Sequence, residues 1–205
     1  MRNSFRLAIA QILVQGGELE RNLARAEKSI RDAAGAGADV VLLPEVLDVG
    51  WTHPSVKSLA DRVPGGETSN RIQRAASAAG VYVCAGLSEK ANSGVIYNAA
   101  IFVNPSGKVL LHHRKIHELE IAHGLYGRGT DLQVVDTPLA SFGVMICADA
   151  FAPGLGIGRA LGLMGAQVIL SPCAWAVDAG HDNAACPYGR LWIDSYAPVA
   201  REFRL

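Results

Sequence analysis

The chain has 205 residues, of which 50% are hydrophobic and 19% are charged, and this length and composition predict one soluble globular domain over residues 1–205. Lysine plus arginine equals aspartate plus glutamate at 19 each, so no net field attracts nucleic acid or an anionic membrane surface. No apolar stretch reaches the roughly 20 residues that span a bilayer. These observations argue against nucleic-acid and membrane partners and favour a neutral small-molecule substrate.

The first part of the chain alternates between strand and helix patterns. Apolar runs predict strands over residues 5–13, 40–43 and 81–87, and helical spacing of apolar side chains predicts helices over residues 18–34 and 69–79. The first strand, the first helix and the second strand together have the length of a βαβ unit. We therefore expect the first two strands to be parallel.

Two hairpins interrupt this alternation. Strand-forming segments at residues 97–103 and 108–111 flank an Asn-Pro-Ser-Gly turn, and segments at residues 132–136 and 142–146 flank a Thr-Pro-Leu-Ala connection. Hairpins beside a βαβ unit predict mixed sheets. The chain then returns to alternation, with a helix and a strand expected over residues 155–164 and 168–170.

The four cysteines are scattered along the chain, at Cys84, Cys147, Cys173 and Cys186. They lack the paired spacing of metal ligands, and no basic segment followed by an apolar one opens the chain. The sequence therefore predicts a cytoplasmic protein with reduced thiols and without a metal ion. Cys84 is expected in the core.

Three predicted strands end in residues that can carry chemistry. Glu45 follows the apolar run at residues 38–44, Lys115 follows the second strand of the first hairpin, and Cys147 follows the run at residues 143–146. The ends of strands are where open α/β proteins place their active sites. Considered alone, Cys147 is more readily explained as a small buried packing residue. Its combination with a glutamate and a lysine in equivalent positions favours a catalytic role.

These segments, in this order, resemble the nitrilase superfamily of carbon–nitrogen hydrolases. The resemblance extends from Leu7 to Glu202. It is carried by Gln11, Asn22-Leu23, Leu43-Pro44-Glu45, Tyr97-Asn98-Ala99-Ala100, His113-Arg114-Lys115-Ile116-His117 and Gly143-Val144-Met145-Ile146-Cys147-Ala148-Asp149. It implies an α/β fold, a four-layer αββα sandwich with mixed sheets, and a catalytic set of Glu45, Lys115 and Cys147.

Attack on an amide or nitrile carbon requires a nucleophile, a proton carrier and a group that stabilises developing negative charge. Cys147 would form a thioester or thioimidate, Glu45 would carry the proton, and Lys115 would hold the oxyanion. A neighbouring cation lowers the pKa of a thiol, and Lys115 is expected to do so for Cys147. The family's geometry implies that the amide of Ala148 is the second oxyanion donor. This mechanism requires no cofactor.

The resemblance also implies a second glutamate beyond the lysine, which orients that lysine and helps to position substrate or water. Glu118 and Glu120 are both candidates, and Glu118 is slightly favoured because it lies nearer the motif. For either residue, the alternative is a solvated carboxylate in a loop.

Two tryptophans are candidates for substrate binding. Trp175 precedes a polar, glycine-containing segment at residues 178–183, which we expect to form a loop over the pocket. Trp51 follows Glu45 and could line the entrance, with surface packing as the alternative. Cys173 follows the strand after the nucleophile's helix and is expected to be a small packing residue at the pocket wall.

Two motifs of other protein classes are incomplete. His113 and His117 lie four residues apart, but they do not form the His-Glu-x-x-His pattern of a zinc site on a helix. In Gly154-Leu-Gly-Ile-Gly158 the third glycine falls one residue too early for a dinucleotide-binding fingerprint. Metal binding and nucleotide binding are therefore disfavoured.

The chain departs from the family's pattern in two places. Many relatives carry Arg-Phe-Pro-Glu shortly after the cysteine, where this chain has Ala-Phe-Ala-Pro at residues 150–153. Relatives also generally continue for several tens of residues beyond the equivalent of Leu205, which predicts a domain shortened at its C-terminus. An exposed sheet edge would then favour a homo-oligomer.

The function expected from the sequence is cysteine-dependent hydrolysis of non-peptide carbon–nitrogen bonds. We expect an amidase that acts on a small linear amide or carbamoyl compound through a covalent thioester. One alternative is a nitrile hydrolase, which would use the same nucleophile. The other is a shortened, non-catalytic family member that serves as a binding or assembly subunit.

Overall fold

A computed structural model describes residues 4–205 of the chain. The first sheet contains five strands in the spatial order β1 to β5, with the bounds Leu7–Ile9, Val40–Leu42, Tyr82–Lys90, Ile96–Val103 and Val109–Arg114. β2 is parallel to both β1 and β3, and β4 is antiparallel to both β3 and β5. The expected parallel pairing of the first two strands is confirmed.

Helices α1 (Leu19–Gly35) and α3 (Glu67–Ala79) cover one face of this sheet, and a short helix α2 (Val56–Leu59) lies between them in the chain. Alternate strand residues point to opposite faces, so Val41 and Val83 face the helices. There they pack in one cluster with the buried side chains of α1 and α3. Burial of this stripe of apolar side chains is what stabilises the helices against the sheet.

The second sheet is smaller and contains β6 (Val134–Asp136), β7 (Ser141–Val144) and β8 (Val168–Leu170). β6 and β7 form the second predicted hairpin, and β7 is parallel to β8. Helices α4 (Gly156–Leu163) and α5 (Arg190–Phe203) follow in the chain and contact each other. This sheet is therefore mixed as well.

The two sheets pack face to face through a second apolar cluster. Phe102 of β4 lies against Phe142 of β7 with ring centroids 4.9 Å apart. Leu161 of α4 packs with Met145 behind the second sheet, and Tyr196 of α5 lies against the same cluster. The order of layers is helices, sheet, sheet, helices, which confirms the predicted four-layer αββα sandwich.

Some element bounds differ from the predictions. β1 has three residues, although a strand was expected over residues 5–13. β3 extends to Lys90 and forms with β4 a hairpin that was not predicted, around the turn at residues 91–95. No helix within residues 4–205 is both long enough and apolar enough to cross a membrane.

Candidate active site

Glu45 lies just beyond the end of β2, where the chain leaves the sheet. Gly86 of β3 donates its backbone N–H to the carbonyl of Pro44 over 3.0 Å and accepts the N–H of Leu47 over 2.9 Å. A Cβ atom on Gly86 would come within 2.5 Å of the Cα of Glu45. Only glycine therefore permits this close approach, which fixes the position of the carboxylate.

Lys115 follows the last residue of β5 and is 1% exposed. Its Nζ atom donates to Glu45 Oε1 and to Glu118 Oε1, each over 2.7 Å. Burial favours the neutral amine, but the two carboxylates outweigh it and raise the pKa of Lys115 to about 12. The side chain is a fixed cation at neutral pH.

Asn98 of β4 forms hydrogen bonds to the same two glutamates. Its Nδ2 atom donates to Glu45 Oε1 over 2.7 Å and to Glu118 Oε2 over 3.1 Å. We call Glu45, Lys115, Glu118 and Asn98 the carboxylate–lysine array. No role was predicted for Asn98, although an amide within an otherwise apolar strand is a signal of a buried polar contact.

The two candidates for the second glutamate are in different surroundings. The Glu118 side chain is 8% exposed and belongs to the array. Glu120 is exposed and begins a short 3₁₀ helix, Glu120–Ala122. The structure thus brings Glu118, and not Glu120, to Lys115.

Cys147 begins a 3₁₀ helix, Cys147–Phe151, a short distance after β7. Its φ angle is +44°, a left-handed conformation that is uncommon for a residue other than glycine. Its backbone N–H donates to the carbonyl of Pro172 over 3.1 Å. Such strained positions cluster at functional sites. Ala148, the next residue, is fully buried in the first turn of the helix.

The Cys147 thiol is protonated at rest. A hydrogen bond with the Cys173 thiol, burial and the Glu45 carboxylate raise the pKa of Cys147, and the opposing effect of Lys115 does not compensate. Lys115 does lower the pKa of Cys147, as expected, but the net pKa lies above that of a free thiol. The reason is that the hydrogen bond with Cys173 and burial are the two largest causes of the shift.

Asp149 connects the loop of the cysteine to the loop of the lysine. Its Oδ2 atom accepts the Ile146 N–H and bonds to His113 Nε2, each over 2.8 Å. Its Oδ1 atom accepts the backbone N–H groups of Ile116 and His117 over 3.0 and 2.7 Å. His113 is thus part of a buried hydrogen-bond network, and its pairing with Asp149 was not predicted from the sequence.

Trp51 packs directly on the lysine, with the Nζ atom of Lys115 5.0 Å from the centre of the indole ring. The ring also lines a cavity of about 630 Å³, whose wall includes Gln11, Glu45, Trp51, His53, Cys173 and Trp175. Glu45 is therefore reached through this cavity.

Trp175 is 41% exposed and lies at the boundary between two cavities. The second cavity has a volume of about 600 Å³ and is mainly apolar, with Trp192 and Tyr196 of α5 in its wall. The rings of Trp175 and Trp192 meet edge to face, 5.6 Å apart. Cys173 lines both cavities, as a residue of the pocket wall would.

The fold and this set of side chains define a class of protein, and comparison with known proteins identifies it. The model of the Carbon-nitrogen hydrolase family matches residues 6–193. The chain belongs to this family, which confirms the resemblance to the nitrilase superfamily.

Individual relatives agree with this assignment. The chain is 38% identical over 172 residues to a nitrilase of Pyrococcus abyssi, an alignment that covers 82% of this chain and 64% of that protein. It is 32% identical to omega-amidase NIT2 of Xenopus tropicalis, over 86% of this chain and 66% of that protein. The chain thus spans slightly less than two thirds of the length of these relatives.

A solved structure has the same fold. The crystal structure of an amidase from Nesterenkonia sp. superposes with a TM-score of 0.78 and 19% sequence identity, covering 92% of this chain and 71% of that one. Identity at this level supports the architecture, and it does not by itself transfer an activity.

Proposed function

We propose that the chain is a cysteine-dependent amidase that hydrolyses small linear amides or carbamoyl compounds through a covalent thioester. The observation that carries this proposal is the buried carboxylate–lysine array, whose Glu45 and Lys115 both interact electrostatically with Cys147. Nucleophile, base and cation are the three groups that acyl transfer needs.

In the first half-reaction, Cys147 Sγ attacks the amide carbon while Glu45 takes the thiol proton. The π electron pair moves to oxygen, where Lys115 Nζ and the Ala148 N–H stabilise the negative charge. When the tetrahedral intermediate collapses, the carbon–nitrogen bond breaks. Glu45 returns the proton to the nitrogen, and ammonia leaves a thioester on Cys147.

In the second half-reaction, a water molecule attacks the thioester while Glu45 takes one of its protons. The new tetrahedral intermediate releases the acid, and the sulfur of Cys147 recovers the proton from Glu45. The raised pKa of Cys147 makes this base necessary, because a protonated thiol attacks only as its proton is removed.

Glu118 and Asn98 act as positioning residues in this scheme. An ammonium group has three N–H donors, and Lys115 gives two of them to Glu45 and Glu118. The third is available to the oxyanion. Asn98 holds both carboxylates, so that Lys115 is oriented without losing its charge.

The cavity beside Glu45 supports small uncharged substrates. Within the described part of the chain, its wall contains Trp51 and Trp175 and several aliphatic side chains, but no lysine or arginine. An amide with a distant carboxylate would find no cationic partner in this wall. Nitriles would fit the same space, and hydrolysis of nitriles is the chemical alternative.

We also propose that the chain acts as a homo-oligomer in the reducing environment of the cytoplasm. Exposed apolar side chains support association, among them Ile9 of β1 at 69% exposed and Leu163 of α4 at 80%. Sedimentation velocity of the purified chain tests it, and a monomer at all accessible concentrations would contradict it.

Ammonia release from a panel of aliphatic amides, carbamoyl compounds and nitriles tests the proposed activity. We expect release from at least one amide by the wild-type chain and none above background by Cys147→Ala. Glu45→Gln should lower kcat by about 100-fold or more, because it removes the general base. Folded wild-type protein that releases no ammonia and forms no covalent adduct with any substrate would favour the non-catalytic alternative.

A further inference from the structure

The nucleophile has a second thiol beside it, and the arrangement of strands explains why. β7 and β8 are parallel, with Val144 opposite Leu170. Backbone hydrogen bonds from Met145 to Leu170 and from Cys147 to Pro172, each of 3.1 Å, continue this ladder beyond the strands. Cys147 and Cys173 therefore lie side by side on neighbouring chains.

The two side chains pack in the same apolar cluster, and each thiol is the largest influence on the pKa of the other. Adjacent strands are roughly 4.8 Å apart, and disulfides join Cα atoms separated by about 4.4 to 6.8 Å. The backbones are thus already at a distance that a disulfide can bridge.

The surroundings of Cys173 favour reaction with an oxidant. Its Sγ atom lies 3.6 Å from Ser171 Oγ and 3.7 Å from Tyr196 Oη, and both hydroxyls can donate to a thiolate. The hydrogen bond with Cys147, together with these hydroxyls, lowers the pKa of Cys173 in spite of its burial. Cys173 also lines both cavities, so a small oxidant can reach it.

We propose that Cys147 and Cys173 form a reversible oxidation site, in which a peroxide converts the two thiols into a disulfide. The bridge would block the proposed amidase activity, because it occupies the nucleophilic sulfur. Formation of the bridge itself does not depend on that activity.

The reaction balances with hydrogen peroxide as the oxidant. The sulfur of Cys173 attacks one peroxide oxygen, the O–O bond breaks, and hydroxide leaves with the thiol proton as water. The product is a sulfenic acid. The sulfur of Cys147 then attacks the Cys173 sulfur, the S–O bond breaks, and a second water carries away the Cys147 proton. Two thiols are oxidised by two electrons, and one peroxide is reduced to two waters.

The other cysteines provide matched controls. Cys186 is exposed, and Cys84 is fully buried in β3, where burial raises the pKa of its thiol. Cys186→Ser therefore removes the most accessible competing thiol and keeps the proposed pair. Cys147→Ser replaces only the resolving partner of Cys173 and leaves a hydroxyl of similar size.

The test is brief treatment of the reduced full-length chain with hydrogen peroxide, followed by alkylation, intact mass measurement and peptide mapping. We expect the loss of two hydrogen atoms, a linked peptide that contains Cys147 and Cys173, and recovery of both thiols with dithiothreitol. Cys186→Ser should behave like the wild type. In Cys147→Ser, which lacks the thiol that resolves the sulfenic acid, oxygen should accumulate irreversibly on Cys173 at least about tenfold more than in the wild type.

The proposal is overturned if wild-type Cys147 gains oxygen without a linked peptide, or if the linked peptide contains Cys84 or Cys186 instead. It is also overturned if Cys173 is oxygenated equally in the wild type and in Cys147→Ser. Because the readout is mass, these outcomes are independent of ammonia release. A chain that forms the bridge but hydrolyses nothing would keep this proposal and contradict the proposed function.

Discussion

The charges of the carboxylate–lysine array do not cancel. Glu45 and Glu118 together carry two negative charges when ionised, and Lys115 carries one positive charge. A hydrogen bond with Cys173 and burial are the largest causes of the raised pKa of the neighbouring Cys147 thiol, and the Glu45 carboxylate of the array adds to them. The same excess of negative charge disfavours anionic substrates, which agrees with a cavity wall free of lysine and arginine within residues 4–205.

The array predicts that Glu118 and Glu120 respond differently to the same substitution. Glu118→Gln keeps the size of the side chain but removes the negative charge that orients Lys115 Nζ. We therefore expect kcat to fall on the order of 100-fold with little change in KM. Glu120→Gln should leave both constants unchanged, because that side chain is exposed. Steady-state ammonia release from the two variants measures the contrast. Equal effects of the two substitutions would mean that the array does not orient Lys115.

Several members of the site could be identified from the sequence, because each ends a recognisable apolar run. This applies to Glu45, Lys115 and Cys147, whose catalytic roles stay predictions. Asn98 and the thiol contact of Cys173 could not be found in this way, since both depend on which strands become neighbours in space. The raised pKa of Cys147 could not be foreseen for the same reason, because its largest causes, the hydrogen bond with Cys173 and burial, arise from the fold.

At the scale of elements, Asp149 holds together two loops that leave different sheets. It belongs to the 3₁₀ helix that begins at Cys147, at the end of the smaller sheet, and it accepts backbone N–H groups from the segment that follows β5 of the larger sheet. A fully buried carboxylate is tolerated there because four donors surround it. This side chain therefore helps to fix the relative position of Cys147 and Lys115.

Asp149→Asn is expected to destabilise the fold by at least about 3 kcal/mol, because the new NH₂ group faces N–H donors and leaves buried groups unpaired. Asp178→Asn makes the same chemical change on an exposed loop and should shift stability by less than about 0.5 kcal/mol. Urea denaturation of both variants measures the difference. If Asp149→Asn were as stable as the wild type, the carboxylate would not be what joins the two loops.

The elements themselves were predicted with uneven success, and the reasons are physical. α1 and β8 carry clear periodicity and were placed within about one residue of their observed bounds. The apolar residues that follow β1 were expected to extend it, but they pack against the helix-side cluster outside the sheet. The β3–β4 turn at residues 91–95 was overlooked because β3 is buried along most of its length and lacks the alternation of a half-exposed strand.

At the scale of the whole molecule, the site lies where two sheets meet. Glu45, Lys115 and Asn98 come from the larger sheet or from segments that follow its strands, and Cys147 follows a strand of the smaller one. No single sheet carries the proposed mechanism, so its geometry depends on how the sheets pack. The apolar cluster between the sheets includes Cys147 itself.

Phe102 is the side chain through which this packing is best tested. It is fully buried, and its ring lies 4.9 Å from that of Phe142 and 5.5 Å from that of Tyr82. Phe102→Ala is expected to cost about 3–5 kcal/mol, from lost burial and the cavity left between the sheets. Tyr188→Ala removes a ring that is 43% exposed and should cost less than about 0.5 kcal/mol.

Chemical denaturation of these two variants measures the difference in their free energy of unfolding. The rate of Cys147 alkylation in the folded state measures how accessible the thiol is at the candidate site. Because Cys147 packs in the same cluster as Phe102, loosening this interface should expose the thiol and accelerate its alkylation at temperatures where the variant remains folded. Tyr188→Ala should leave that rate unchanged. A destabilised Phe102→Ala with wild-type alkylation would show that the loops around Cys147 hold their geometry independently of the packing between the sheets.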